Sequence, residues 1–533
     1  MRTHRRIAVG AVAAATAALL TLAGCASAAP QSDQGADRTF RYIYNTVIVT
    51  DLDPATHASS EQIVLRNVYE TLTNYDAQAG EVVPGLATEW SASDDGLTWT
   101  FKLRDDAVFH SGRAVDATAV KESIDRTIEL GGGLSYIWDS VNSIEAPSAT
   151  ELVFTLDYPA PLDLVTSAGY AAYVYDIEAA GDEDLAEWFN AGNDAGSGPY
   201  ELVDYQKGSD HELRIEAFED YPGGWADDQY TAVDFIVSPE QTTSWQMLQN
   251  GEGDFIFNLR PELFNEAKNN DSVNTFQIPS FTNSFAFLNT ASGPLADIKV
   301  REALSKTLDL DAVAKLMQGA GTPASGMIPE GLTGHFDDLG ITADLDEAKR
   351  LFEAAGYGPS GQPLSLDVTF EEGNENLQSL ATYWTSVLAP LNVTLNTQAL
   401  QWTAVYDQAV SPDASARQDI VLSGWWPDAP DANSWYYNLV RSAEPPVWNL
   451  SYLSDPELDA MIDGLPLLQA TDEQANLDTQ RKIQEKVIGE HIAILPTIVY
   501  NYQRVMNGDI EGYVDNPLYA NVVDVYKLKN TAW

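Results

Sequence analysis

Apolar positions recur along the chain with two periods. Trp99, Phe101 and Leu103 alternate with Thr98, Thr100 and Lys102, and Leu152, Phe154 and Leu156 alternate with Val153, Thr155 and Asp157, so both stretches read as half-buried strands. Between them Val120, Ile124 and Ile128 repeat every four residues and predict a helix over 117–130, stopped by Gly131-Gly132-Gly133. Earlier, Arg41 to Val49 reads as a strand that ends in the turn residues Asp53-Pro54. Ser59 with Gln62 three residues on predicts a capping box for a helix carrying Ile63, Leu65, Val68, Tyr69 and Leu72. The first third is therefore mixed α and β.

The clearest unit lies further on. Ala348, Leu351, Phe352 and Ala355 form a helical stripe closed by Gly356, followed by alternating Leu364, Leu366, Val368 and Phe370. A second stripe, Leu377, Leu380, Ala381, Trp384 and Leu388, ends before Pro390, and strands at Val393–Leu400 and Asp419–Gly424 follow. A βαβ crossover of this kind predicts a largely parallel sheet, in which ligands sit beyond the carboxyl ends of strands. The segment Gly424-Trp425-Trp426-Pro427-Asp428-Ala429-Pro430-Asp431 occupies such a position.

Charge narrows the partners. Lys and Arg total 29 against 79 Asp and Glu, a formal charge of −50 in 533 residues, and such a surface repels nucleic-acid phosphates. With 13 Trp, 24 Tyr and 17 Phe the chain still has ample apolar surface to fold. At the amino end Arg2, Arg5 and Arg6 precede an apolar run from Ile7 to Leu22, shorter than the ~20 residues of a membrane-spanning helix and patterned as a signal peptide over 1–24. It runs into Leu22-Ala23-Gly24-Cys25, a sequence that looks like the lipobox of bacterial lipoproteins. Cys25 is the one cysteine, so an internal disulfide is excluded and lipidation is its expected chemistry, with residues 25–37 as a tether at the outer face of the membrane.

Catalytic signatures are sparse. The six histidines, His4, His57, His110, His211, His335 and His491, show no paired metal spacing, so no metal is expected. Gly358-Pro359-Ser360-Gly361-Gln362 lacks the final Gly of a nucleophile elbow, and Gly251-Glu252-Gly253-Asp254 does not continue as a phosphate loop. Asp51-Leu52-Asp53 is followed by Thr56 where a calcium loop turns on Gly. A secreted hydrolase is the least favoured class.

Several blocks together carry a resemblance. Asp51-Leu52-Asp53-Pro54, Val83 to Trp90, Leu97 to Arg104, Phe109-His110-Ser111-Gly112, Gly196 to Tyr200, Asn250 to Asp254, Val300 to Leu304, Lys349 to Tyr357 and Gly424-Trp425 stand in the order found in bacterial extracellular solute-binding proteins of family 5, the peptide- and nickel-type receptors of ABC importers. The chain resembles that family from about residue 40 to 530. The resemblance implies an α/β, two-lobed, periplasmic-binding-protein-like fold of type II, hinged by two chain crossings near 285–289 and 495–500. Lobe 1 would comprise 38–285 and 500–533, with an extra subdomain at about 77–185, and lobe 2 would comprise 286–499. It also implies a monomer that uses no cofactor, does no catalysis and presents its solute to an ABC transporter permease.

In peptide-binding relatives an Asp shortly after the Gly-Trp pair holds the α-ammonium, and Asp428 matches that place. A carboxylate beside aromatic rings in a closed cleft suits a cation. Trp425, Trp426 and Trp402 are the expected pocket walls, while Trp435 and Trp384 read as core. Asn283, Phe281 and Tyr44 are the remaining candidates, placed by the resemblance near the first crossing and the early ligand-facing loop. Two departures stand out: Gly373-Asn374-Glu375-Asn376 has no Arg where dipeptide receptors carry one, and Leu422 stands where some oligopeptide receptors are basic. The expected solute is an oligopeptide or similar amine; the alternative is an oligosaccharide stacked on Trp.

Overall fold

The structure is a computed structural model and describes residues 38–45, 48–76, 79–519 and 521–533, so the leader, Cys25 and the tether lie outside the described residues. Its spine is one sheet of eleven strands. On one side Thr39–Tyr44 runs parallel to both Ala232–Val237 and Phe255–Ile256. On the other, Leu364–Glu371 runs parallel to both Val393–Leu400 and Ile420–Trp425, as the βαβ pattern predicts. The intervening helices Leu345–Ala354 and Glu375–Leu388 bury Ala348, Leu351, Phe352, Leu377, Leu380, Ala381, Trp384 and Leu388.

Two long strands join the halves. Val273–Leu288 and Ile494–Asn507 pair antiparallel along their length, with the register interrupted between Pro279 and Asn283. Phe276 packs into the core of the first half and Phe281 into that of the second, so the ribbon passes from one core to the other between them. The ladder breaks over the same stretch, between Pro279 and Asn283 and again before Phe285.

The extra subdomain is a four-stranded antiparallel sheet covered by the helix Ala117–Leu130. Asp116 caps that helix through Ala119 N–H, and Gly131 ends it at φ +59. Its buried face runs through Val120, Ser123, Ile124 and Thr127, leaving Ile128 36% exposed, contrary to the four-residue repeat. The expected capping box does not form either. The helix is Gln62–Val68 without a side-chain cap, and the Ser59 N–H goes to the Glu61 carboxylate at 3.2 Å. The early strand likewise stops at Tyr44.

Gly196 and Gly198 explain the block around them. A Cβ at Gly196 would stand 2.1 Å from the Val68 carbonyl oxygen, and one at Gly198 would stand 2.7 Å from it. Only glycine allows the chain to pass so close, and His110 locks the crossing by bonding the Gly198 carbonyl at 3.0 Å.

Candidate functional site

The loop after Ile420–Trp425 crosses from the second half to the extra subdomain. Ala429 is buried in the subdomain's own core beside residues such as Leu72 and Ala172, and Trp426 donates its indole N–H to Tyr170 at 3.1 Å. Trp425 and Trp426 stack with centroids 6.0 Å apart at 17°, and the Trp425 N–H is taken by Ser434 at 2.9 Å.

Asp428 sits inside this seam, 2% exposed. Its Oδ2 accepts from Tyr136 Oη of the subdomain and from Asn438 Nδ2 of the second half, each at 2.9 Å. Ser434 Oγ bonds the Asp428 backbone N–H at 3.2 Å and also the carboxylate. Ser434 and Asn438 lie one turn apart on the helix Asn433–Leu439, so one face of that helix serves the acid. Burial raises the Asp428 carboxyl to about 7, against the opposing hydrogen bonds, and Asp431 nearby pushes it the same way. Burial also raises Asp431. Among the described residues no Lys or Arg pairs with Asp428; every donor that reaches it is neutral.

The ring of Tyr136 lies flat on Tyr437, 4.6 Å between centroids at 9°. That stack opens outward into a pocket of about 440 Å³ lined also by Asp139, Tyr158, Arg441 and Asp463. Beyond Trp425, Trp448 packs at 5.7 Å, and half-buried Trp402 lies parallel to Trp448 at 6.4 Å and 8°.

The other sequence candidates fall in different places. Asn283 is fully buried, donating to the Met327 carbonyl at 2.7 Å and accepting from Trp435 Nε1 at 2.9 Å, which commits both ends of its amide to the protein. Phe281 packs in the same core as Trp425. Tyr44 lies in the first half against Phe257 at 5.3 Å, its hydroxyl 3.3 Å from Ser60 and from Asn521. Trp384 and Trp435 are buried in the core. Asp428, Trp425 and Trp426 are thus brought together, with Trp402 one ring removed. Tyr136, Tyr170, Ser434 and Asn438 escaped the sequence reading; only the four-residue spacing of Ser434 and Asn438 on one helix could have signalled any of them.

Two lobes joined by a paired ribbon, meeting over a buried acid, define a receptor that closes on a solute. The chain belongs to the bacterial extracellular solute-binding proteins, family 5, whose middle region matches residues 81–445. It is 28% identical over 486 residues to the probable D,D-dipeptide-binding periplasmic protein DdpA of Escherichia coli, covering 89% of this chain and 91% of that one. The fold is that of the murein tripeptide binding protein MppA of Escherichia coli, with a TM-score of 0.77 at 22% identity over 92% of this chain and 98% of that one. Against the unliganded open form of MppA the score is 0.65 at 22% identity, covering 93% and 98% of the two chains. These relatives are solute-binding proteins, and the two-lobed α/β architecture expected from the sequence is the one observed.

Proposed function

We propose that the chain captures oligopeptides or similar amine-bearing solutes between its lobes and delivers them to the permease of an ABC importer. The observation that carries this reading is Asp428, a buried carboxylate at the lobe seam with neutral donors from both sides and no cation. An ammonium supplies the missing charge in a setting where an unpaired carboxylate is costly. Relatives named for a D,D-dipeptide and a murein tripeptide point to the same solute class. The geometry favours an amine over an oligosaccharide, because Trp425 and Trp426 stack on each other and both indole N–H groups are already bonded.

Titration calorimetry of the full chain with a defined tripeptide set tests the reading: binding is expected, and an oligosaccharide that binds where no peptide does would overturn it. Cys25 completes the proposal as the lipidated residue holding the receptor at the outer face of the membrane. Cys25→Ser is expected to move the protein from the membrane fraction to the soluble fraction; unchanged fractionation would remove the anchor.

A further inference from the structure

Asp428 shares the closed cleft with two further carboxylates that no Lys or Arg reaches among the described residues, Glu61, which is buried near His57, and Glu371, which is half-buried, and the three come from separate elements. Glu61 of the first lobe is fully buried and accepts only neutral N–H and O–H groups, among them the backbone of Thr50 at 2.5 Å and of Asp51 at 3.1 Å. Glu371 ends the strand Leu364–Glu371, immediately beside the strand that leads to Asp428. Burial raises the Glu371 carboxyl, and among the described residues no charged or hydrogen-bonding neighbour offsets that.

Two tyrosines mark the same spot independently. Burial raises the hydroxyls of Tyr44 in the first lobe and Tyr500 in the ribbon, and the Glu371 charge adds to both. Tyr500 is 8% exposed, and its ring stands 3.7 Å from where a Cβ on Gly424 would be, at the base of the Gly424–Asp431 segment. Its buried hydroxyl lies near Ser284 and Asn374 without completing a hydrogen bond to either. A buried hydroxyl left open beside a lone carboxylate forms an acceptor pair for one cationic donor.

The nearby cations are spent elsewhere. Arg504 pairs with Asp515 and Tyr513, Arg126 with Asp53, and Arg260 reaches across the cleft to Glu375 at 3.9 Å while bonding Thr242 at 3.2 Å. A solute with one ammonium would therefore neutralise Asp428 and leave Glu371 half-buried and unpaired.

We infer that the cleft selects a solute carrying two cationic groups, the first on Asp428 and the second on Glu371 with the Tyr500 hydroxyl beside it. This rests on the peptide reading and deepens it: the favoured peptide has a free amino terminus and one Lys or Arg side chain. A polyamine shares that chemistry.

The test is titration calorimetry of the full chain with Lys-Ala-Ala, Ala-Lys-Ala and Ala-Ala-Lys, their Nε-acetyl-lysine counterparts, and spermidine. At least one free-lysine peptide is expected to bind tenfold or more tightly than its acetylated form, with the preference lost in Glu371→Gln while the acetylated peptide binds that variant as before. Equal affinity for free and acetylated peptides, or a preference that survives in Glu371→Gln, would overturn the inference and leave the peptide reading standing. Spermidine binding that needs Glu371, with no peptide bound, would keep the two-cation cleft and overturn the peptide reading. Binding of none of these probes would overturn both.

Discussion

Tyr136 and Asp428 lie 292 residues apart in the chain and 2.9 Å apart at their side-chain oxygens, one on each side of the seam between lobes. The bond ties closure to the acid that would receive the ligand's ammonium. Asp428→Asn keeps the shape and the neutral partners but removes the charge. Truncating one partner of a buried charge pair costs about 2–5 kcal/mol, so affinity for a peptide with a free amino terminus should fall by about thirtyfold or more. The thermal midpoint of the unliganded variant should not fall, since a buried charge is lost. Undiminished affinity in calorimetry would exclude Asp428 as the anchor.

The same carboxyl makes closure depend on pH. Solvated, it ionises in the ordinary Asp range; closed in, burial holds it at about 7, with Asp431 adding to the shift and Tyr136, Ser434 and Asn438 opposing it. The closed form then binds more protons than the open form between about pH 4 and 7, so unliganded closure is favoured in acid and opposed as pH rises through 7. The span of about three pH units corresponds to about 4 kcal/mol. Small-angle scattering should find the unliganded chain more compact at pH 5.5 than at pH 8.5, and Asp428→Asn compact at both. Affinity for an ammonium ligand runs the other way, rising with pH over the same window because the cation needs the ionised acid. A scattering profile indifferent to pH would break the link between this acid and the lobes.

Trp426 and Tyr170 form a second tie across the seam at 3.1 Å. Trp426→Phe keeps an aromatic ring and loses the N–H. A neutral hydrogen bond contributes about 1 kcal/mol, so ligand should leave about five times faster, with little change in the association rate. Tyr170→Phe removes the acceptor and should do the same, and the double variant should be no worse than either single one. Stopped-flow dissociation reads this directly; additive effects would mean that the two side chains act separately.

Local pattern carried much of the architecture into the sequence. The stretch from Leu345 to Trp425 was legible because each helix buries one stripe, Leu364–Glu371 and Val393–Leu400 both begin by alternating, and Ile420–Trp425 begins wholly buried, so period alone identified it. Ile128 departs from the four-residue repeat because its helix turns small polar residues, Ser123 and Thr127, toward the core in place of a further apolar one. The Ser59 cap was lost to a stronger acceptor, Glu61, which gathers several donors of its own loop. At the site, Asp428 stood out through its place beyond a strand end. Tyr136 and Tyr170 did not, because their roles depend on which surfaces the lobes bring together, and no spacing within one element records that. Asn283 illustrates the converse: a polar residue on a buried strand that satisfies a tryptophan and a carbonyl inside the protein.

Two glycines separate packing from propensity. At Gly196 a Cβ would meet the Val68 carbonyl oxygen at 2.1 Å and its carbon at 2.9 Å, backbone atoms that cannot turn aside, with the His110 ring at 3.0 Å behind them. Gly196→Ala must push two segments of the first lobe apart, and overpacking of this kind costs about 1–3 kcal/mol or more. Gly464 lies within the helix Pro456–Thr471, where a Cβ would meet nothing within 4 Å. There Ala gains about 1 kcal/mol by its helix preference. Thermal unfolding should therefore show the midpoint of Gly196→Ala lowered and that of Gly464→Ala raised. An unchanged midpoint in Gly196→Ala would mean that the crossing over Val68 is looser than the 2.1 Å approach requires.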